Sequence, residues 1–464
     1  MGANLINSAR HEHPAIVLKN AIVFAIRSHE GATLQISLKT TLNIIATATV
    51  FGLWTPAWST EPLKLTLEQV MARALERPVA VAASQRAMAA EADAQTIKNE
   101  GRLPTVAGQG NLTWNDEVVE LETPQGVFRL GDEISTSINA SITQPIFDPA
   151  RQFYGAPAAK YNAQSLKETA HRTNEQLSAF AAEVFYQVLS YDAQLRATNA
   201  FIESLSKRLE ETKARVELGR TLEADALKVQ LDLDQANQDK FAIENARRVA
   251  VRRLGLAIGY DGSVEPVFDW ESPLPPIPSR EEAGKLNQRS DILSLETGLQ
   301  SAEYGKKAIK AEYIPRVEAV ATYSWADGDP FREGSFLQGG LQVSWRPFAG
   351  GTRKPRLAAA QYRIEALKQD LEETRRSAQI ELDDAFASLD TARGALKVAE
   401  SGVALATETV RVERERSDNG RSTVNDLLDA EAALRRQKTN LELAKIGIRR
   451  ALIQLDLARG AIKN

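Results

Sequence analysis

The chain has 464 residues, a formal net charge of −4, no cysteine and four histidines. This composition excludes disulfides, thiolate catalysis and cysteine-based metal sites, and its charge predicts no general attraction to nucleic acid or to anionic lipid. Three of the histidines lie within the first 29 residues, which leaves His171 alone in the rest of the chain and argues against chemistry that needs a histidine pair.

The amino-terminal region has the features of an export signal. Residues 40–54 are mostly apolar and follow Lys39, and Ala57-Trp58-Ser59, with small residues at both ends, comes after them. This order is typical of a secretory leader and its cleavage site, so residues 1–59 are predicted to be a leader. The segment before Lys39 is longer than an ordinary leader start, which a start codon assigned too far upstream would explain. A membrane anchor is the weaker alternative, because it usually needs about 20 apolar residues.

The rest of the chain is an internal duplication. The segment Gly219-Arg220 with Asp225 is matched 201 residues later by Gly420-Arg421 with Asp426. We therefore predict a first repeat at 60–259, a proline-rich linker at 260–280 and a second repeat at 281–464. Each repeat has the order helix, strand hairpin, long helix, turn and long helix, which makes the duplication the first constraint on the fold.

Strands are predicted where apolar and polar residues alternate. In the first run, Val106, Leu112 and Trp114 share one face with two glycines. Runs of about ten residues of this kind are typical of a membrane β-barrel, but a water-soluble sheet with one buried face gives the same alternation. The leader and the long helices favour the barrel. The four predicted strands are 103–116, 133–147, 315–326 and 336–348.

Prolines are predicted to mark the strand–helix junctions, because proline ends a helical ladder and favours extended structure before it. They are Pro104, Pro145, Pro315 and Pro347.

The long helices carry a seven-residue repeat. From Leu177 to Val216, and again from Ala378 to Ser417, twelve positions follow one another at steps of four and three, and most are apolar. A sustained repeat of this kind predicts helices packed side by side along a coiled-coil seam. Helices of roughly 50 residues would be about 75 Å long.

Four strands are too few to close a barrel. An open sheet in lipid leaves unpaired backbone groups, and about eight strands form the smallest common barrel. Several copies of the chain must therefore share one barrel, and three copies would supply twelve strands.

At this point the sequence resembles the TolC family of outer-membrane efflux proteins over residues 62–460. The residues that carry the resemblance are Gln144 to Asp148, Trp345 to Gly351, and the paired turns Leu218 to Leu222 and Asn419 to Thr423. The resemblance implies an α+β membrane protein: a homotrimer whose twelve-stranded β-barrel, with four strands per chain, continues into a periplasmic α-helical barrel. It also implies docking to a periplasmic adaptor and coupling to an inner-membrane pump or ABC exporter.

The resemblance also indicates candidate site residues. Asp426 and Asp429 are three residues apart and share a helix face, and acidic residues at matching positions line the family's periplasmic gate. Asp225 is the first-repeat counterpart. A solvated helix face is the alternative for these carboxylates. The adaptor-docking tips are predicted at Gly219, Arg220, Thr221, Leu222, Gly420, Arg421, Ser422 and Thr423. The alternative for the two glycines is a purely structural helix end.

The function predicted is a passive outer-membrane exit duct for efflux or secretion, extending into the periplasm and opened at its helix tips. No cofactor, metal or catalytic residue is predicted, and no nucleotide-binding loop of the G-x-x-x-x-G-K-[ST] type is present in the sequence. A periplasmic coiled-coil scaffold with a soluble sheet is the alternative, and an envelope enzyme is a weaker one.

Overall fold

A computed structural model describes residues 62–280, 286, 289–328, 334–419 and 421–462 of the chain. The predicted leader, residues 1–59, lies outside these described residues. The first half contains β1 (Leu63–Leu65), α1 (Leu67–Ala74), α2 (Pro78–Glu100), β2 (Thr105–Trp114), β3 (Val119–Thr123), β4 (Gly126–Leu130), β5 (Ile134–Phe147), a π-helical turn (Ala150–Gly155), α3 (Ala156–Glu217), α4 (Glu223–Ala257) and β6 (Val264–Pro266).

The second half has the same succession of major elements, namely helix, two strands and two long helices. It contains α5 (Ser290–Ala311), β7 (Arg316–Asp327), β8 (Gly334–Ser344), α6 (Arg353–Asp418) and α7 (Val424–Arg459). Of these, α6 has 66 residues and α3 has 62. A helix of that length extends for about 90–100 Å, much farther than a compact domain needs.

Four strands form one antiparallel sheet in the order β2-β5-β7-β8. Each lies largely within one of the four segments where the sequence alternates. The hairpin β3–β4 and the short parallel pair β1–β6 are additional elements that the sequence analysis did not predict. Both are short, with strands of five and three residues, so their alternation was too brief to be read as a strand.

The register of this sheet collects the apolar side chains on one face. Val106 pairs with Ile142, Tyr323 pairs with Leu337, and Val317 pairs with Val343. Because side chains alternate between the faces of a strand, these residues lie on one side, and Gln109, Asn139 and other polar residues lie on the opposite side. The apolar face is uncovered by any described element of the chain, and Leu112 and Leu337 are 75% and 76% exposed.

The four prolines lie close to the ends of the strands. Pro104 and Pro315 immediately precede β2 and β7, and Pro347 follows β8 by three residues. Pro145 lies inside β5, two residues before its end, where the register against β7 shifts between Pro145 and Phe147. A strand tolerates proline at such an irregularity because the missing N–H leaves no ladder bond broken.

The long helices pack as two hairpins, α3 with α4 and α6 with α7, and α7 also packs on α3. Every one of the twelve predicted seam positions on α3, and every one on α6, is buried or half-buried. Within the described residues, no helix combines the length and apolar character needed to cross a membrane.

A cluster around the middle of α3 fixes the short elements to the long helices. Phe185 and Leu189 of α3 pack with Val70 of α1 and with Leu254 of α4. The linker predicted at 260–280 adds Trp270, whose ring lies 3.5 Å from the guanidinium carbon of Arg196. Cation–π contact and burial thus hold this segment against α3.

The most deeply buried charged side chain among the described residues joins four helices. Arg289, which is 2% exposed, donates to Asp291 at the start of α5, to Glu381 of α6 and to the carbonyl oxygen of Ala458 at the end of α7. Arg172 of α3 lies 3.6 Å from the same aspartate. Burial raises the pKa of Asp291, but the Arg289 hydrogen bond and the charge of Arg172 outweigh it and hold the pKa below its usual value.

Replacing Arg289 with alanine should therefore destabilise the fold, because Asp291 and the α7 carbonyl lose their main donor. The cost should be about 3 kcal/mol, measured as a lower midpoint for the heat-induced loss of helical circular dichroism. The control is Arg280→Ala, because Arg280 is exposed and its ion pair with Asp390 is long, at 4.0 Å.

The contribution of Asp291 has a defined pH dependence. A carboxylate with a lowered folded-state pKa stabilises the fold above its unfolded pKa, near 3.9, and this stability is lost as the pH falls through the folded value. The difference between wild type and Arg289→Ala should persist from pH 5 to 8 and shrink below about pH 4. Equal midpoints for the Arg289 and Arg280 variants would contradict this account.

Candidate functional site: the helix tips

The two long-helix hairpins end in turns with the same backbone design. At the first turn, Gly219 has φ +67°, its N–H donates to the carbonyl of Val216, and the N–H of Arg220 donates to the carbonyl of Arg215. These bonds form a Schellman motif, which requires a left-handed residue after the helix. In the second turn the N–H of Arg421 donates to the carbonyl of Arg416 in the same way. Gly420 lies outside the described residues.

The first tip exposes apolar surface to solvent. Arg220 is exposed, Leu222 is 71% exposed, and Leu218 beside them is exposed as well. Thr221 is half-buried because its hydroxyl donates to Asp225 Oδ2 at 2.6 Å. Three exposed side chains on one turn, held by a rigid backbone motif, form a surface suited to contact with another protein.

The second tip is more polar. Arg421 and Thr423 are exposed, whereas the hydroxyl of Ser422 donates to Glu413 at 2.6 Å and to Asp426 at 3.3 Å. Among the described residues predicted to dock an adaptor, Ser422 and Thr221 are half-buried and their hydroxyls are held by hydrogen bonds inside the tips. The exposed remainder is available for partner contact.

Asp426 closes a capping box at the start of α7. The backbone N–H and the hydroxyl of Thr423 donate to Asp426 Oδ2 at 2.9 and 2.7 Å, and the N–H of Asp426 donates to the threonine oxygen at 3.2 Å. These hydrogen bonds from the side chain and backbone of Thr423 hold the pKa of Asp426 below its usual value. The carboxylate is exposed and therefore remains negatively charged throughout the physiological pH range.

The other two predicted gate residues differ in their surroundings. Asp429 is exposed, lies one turn along α7 from Asp426, and forms no hydrogen bond or ion pair with any described residue. Asp225 accepts from Thr221 and from the backbone N–H of Leu222, so it caps α4 as Asp426 caps α7. Asp426 and Asp429 thus share one exposed face, and Asp225 occupies the equivalent cap on the other hairpin.

A buried carboxylate behind the tips was missed by the sequence analysis. Glu431 of α7 is 7% exposed and accepts from Ser204 and Arg208 of α3 and from Arg414 of α6, at 3.0, 3.2 and 3.1 Å. It ties both hairpins together next to the turns. The sequence does contain one indication of this buried residue. Glu431 is a single charge between Ala430 and Ala432, at a position that otherwise belongs to the apolar seam.

Among the described residues, no group of histidine, aspartate and glutamate side chains is arranged to hold a metal ion.

Gly219 was predicted to contact an adaptor, with a purely structural helix end as the alternative, and substitution can separate these two roles. An added Cβ would meet no atom within 4 Å, so the backbone angle alone determines the cost. Gly219→Val should cost about 1–2 kcal/mol locally, whereas Gly219→Asn should cost less because asparagine tolerates the left-handed region. Amide hydrogen exchange of residues 218–222 should accelerate in the valine variant and change little in the asparagine variant. Equal acceleration in both would contradict a conformational role.

Comparison with known proteins supports this description. The family model for outer membrane efflux proteins matches residues 285–461. The chain is 20% identical to the outer membrane efflux protein BepC of Brucella suis over 80% of this chain and 79% of that protein. It is 22% identical to the outer membrane protein TolC of Vibrio cholerae over 72% of this chain and 78% of that protein.

Solved structures share the fold. CusC superposes with a TM-score of 0.70 and 18% identity, covering 88% of this chain and 95% of that one. The open state of the Neisseria gonorrhoeae MtrE outer membrane channel gives a TM-score of 0.67 and 19% identity, covering 85% and 88%.

Long paired hairpins joined to a sheet with one apolar face thus form the fold that this chain shares with CusC and the MtrE outer membrane channel. The resemblance drawn from the sequence is confirmed: residues 285–461 match the model of the outer membrane efflux protein family, and the relatives that the chain resembles are outer membrane proteins. Proteins of this family are channels and not enzymes. Its relatives support a role as an efflux channel and a location in the outer membrane.

Proposed function

We propose that this chain forms the outer-membrane exit duct of a tripartite efflux or type I secretion system. The observation that carries the proposal is the apolar face of the four-stranded sheet, which no described part of the chain covers. Exposure of such a face to water costs roughly 25 cal/mol of free energy for each Å² of apolar surface, and contact with lipid avoids this cost. The sheet would then lie in the outer membrane and the long helices would extend into the periplasm.

The edges of the chain support assembly into a ring. Strands β2 and β8 each pair on one side only within the described residues. On the helices, Val398 and Leu405 of α6 are each 72% exposed and lie seven residues apart, and α4 exposes Leu227 and Leu231. One edge of a copy can thus meet the opposite edge of the next, a head-to-tail contact that closes into a ring.

Three copies are the proposed number. Each unpaired backbone group in lipid costs several kcal/mol, so the strands must close completely. Three chains give twelve strands, an even number within the range of known barrels, and the family resemblance favours this number. The helices of three copies would form the wall of a tunnel about 90 Å long.

Opening is proposed to occur at the tips. The exposed residues Leu218, Arg220 and Leu222 would contact a periplasmic adaptor, and Arg421 and Thr423 would do so on the second hairpin. The ties made by Glu431 hold the hairpins together and must loosen when they separate. The energy would come from an inner-membrane pump or ABC exporter, since the duct itself is passive.

In the proposed trimer, the exposed carboxylates Asp426 and Asp429 would form a ring of six at the tunnel mouth. Asp225 on the other hairpin would contribute to the same constriction. A ring of this charge attracts cations and binds multivalent ones most strongly.

The assembly is tested by fractionation together with a surface substitution. Wild-type protein should partition with the outer membrane and migrate as a heat-sensitive trimer in detergent. Placing aspartate at both Val398 and Leu405 should abolish the trimer, because unpaired charges would be buried between copies. Lys397→Asp is the matched control on an adjacent face of α6 and should leave the trimer intact. A freely soluble wild-type monomer would instead support the periplasmic scaffold.

The gate is tested in planar bilayers. Asp426→Ala with Asp429→Ala should raise single-channel conductance and weaken block by multivalent cations. The single variant Asp429→Asn should also weaken the block, and it should do so without loss of stability, because this side chain has no partner in the described chain. The control Asp383→Asn removes the same charge about 50 Å away along α6.

The pH dependence of the block follows from the lowered pKa of Asp426. The carboxylate is ionised above its pKa, so block should persist at pH 5 and fade only below the ordinary aspartate range, near pH 3.9. Unchanged conductance and block in the double variant would contradict the gate assignment.

A further inference from the structure

A groove lies between α2 and α3, beside the end of the sheet. Its volume is about 950 Å³, and Met88, Tyr161 and Tyr304 give it apolar surface. The two tyrosine rings stack with their centroids 5.5 Å apart. The groove is large enough to hold the polar part of a lipid or a ligand of similar size.

The charges that line the groove are mostly positive. Its lining contains Lys98, Arg102, Lys160 and Lys167, together with His171 and one acidic residue, Glu91. None of these four cations forms an ion pair with a described residue. The chain as a whole is negative, at −4, so this concentration of unpaired cations is a local exception to its overall charge. An anion is therefore the expected occupant.

The groove lies next to the aromatic side chains at the end of the apolar face of the sheet. Phe147, which pairs with Val317 on that face, has its ring centroid 6.1 Å from that of Phe153. Gln152, next to Phe153 in the chain, lines the groove together with Pro157 and Lys160. The groove is thus continuous with the surface that faces lipid in the proposed duct.

Three of the cations lie close to the end of the sheet. The carbonyl oxygen of Arg102 accepts from Gln144 of β5 at 2.9 Å, and that of Gly101 accepts from Gln152 at 2.5 Å, which ties this turn to the end of the sheet. Lys160 is seven residues beyond Phe153, or about 10 Å along the helix, whereas His171 is about 27 Å away. In the proposed duct, Lys98, Arg102 and Lys160 would therefore lie near the membrane surface, and Lys167 and His171 would lie farther from it.

From this arrangement we propose that the α2–α3 groove binds the phosphate headgroup of an anionic phospholipid from the inner leaflet of the outer membrane. Arg102 offers a planar fork to the phosphate, and the two lysines add point charges. The acyl chains would follow Phe153 and Phe147 onto the apolar face. The proposal rests on the proposed function, because it requires the sheet to lie in a membrane.

The test uses the full-length assembly and native mass spectrometry after delipidation. Phosphatidylglycerol and phosphatidylethanolamine of identical chain length are added in turn, and the bound lipid is counted. Wild type should retain phosphatidylglycerol preferentially. The variant Lys98→Ala/Arg102→Ala/Lys160→Ala should bind it about a hundredfold more weakly, because each cation near a membrane surface contributes separately.

The matched control is Arg363→Ala/Lys368→Ala/Lys397→Ala, which removes three exposed cations from α6 and should leave lipid binding unchanged. An equal preference for the two lipids, or equal loss in both triple variants, would overturn the proposal. Displacement of the lipid by millimolar inorganic phosphate would also overturn it, since that would assign the groove to a free anion. Outer-membrane fractionation and channel conductance are recorded in parallel, so failure of the duct itself is distinguished from failure of the lipid site.

Discussion

The structure depends on one constraint: a four-stranded sheet has an apolar face that no described part of the chain covers, and its two edge strands each pair on one side only within the described residues. Val106, Tyr323 and Val343 come from different strands, yet the register places them on the same face. In a water-soluble protein, another layer would pack on such a face. Here the neighbouring elements are helices that continue away from the sheet, so lipid and further copies of the chain are the partners that we propose for it.

The packing of the long helices depends on small and apolar seam residues and on the buried charges that interrupt them. The seam is rich in alanine and other small or apolar residues, which allows close packing along helices of more than 60 residues. Two groups of buried charges interrupt the seam. The group around Arg289 joins the start of α5 and the end of α7 to α3 and α6. The group around Glu431 joins the two hairpins behind the tips. Because a buried charge is costly once its partner is lost, these two groups stabilise the packing of the helices at those two places.

The sequence predicted those features that depend on local periodicity. The alternation around Val106 and Leu337 predicted strands because a strand with one apolar face repeats every two residues. The seven-residue repeat from Leu177 to Val216 predicted packed helices. It did not predict the hairpin β3–β4, which is too short for a pattern, or the irregularity that admits Pro145 into β5. Nor could it predict the partners of Glu431, since Arg208 is 223 residues away and only the fold brings the two together. The cap formed by Thr423 and Asp426, being local, follows the S/T-x-x-D/E pattern of a helix start.

The central claim is that edge strand β2 of one copy pairs with edge strand β8 of the next. The chain has no cysteine, so engineered pairs report on this contact alone. Gln109→Cys is combined in turn with Gln338→Cys, Gly340→Cys and Gln342→Cys, and Gln109→Cys with Asn139→Cys serves as the intrachain control, because those residues pair in the sheet. On oxidation, at least one β2–β8 pair should give covalent dimers and trimers and nothing larger. A control disulfide that forms while every β2–β8 pair remains monomeric, or a ladder that ends at two chains, would contradict the account.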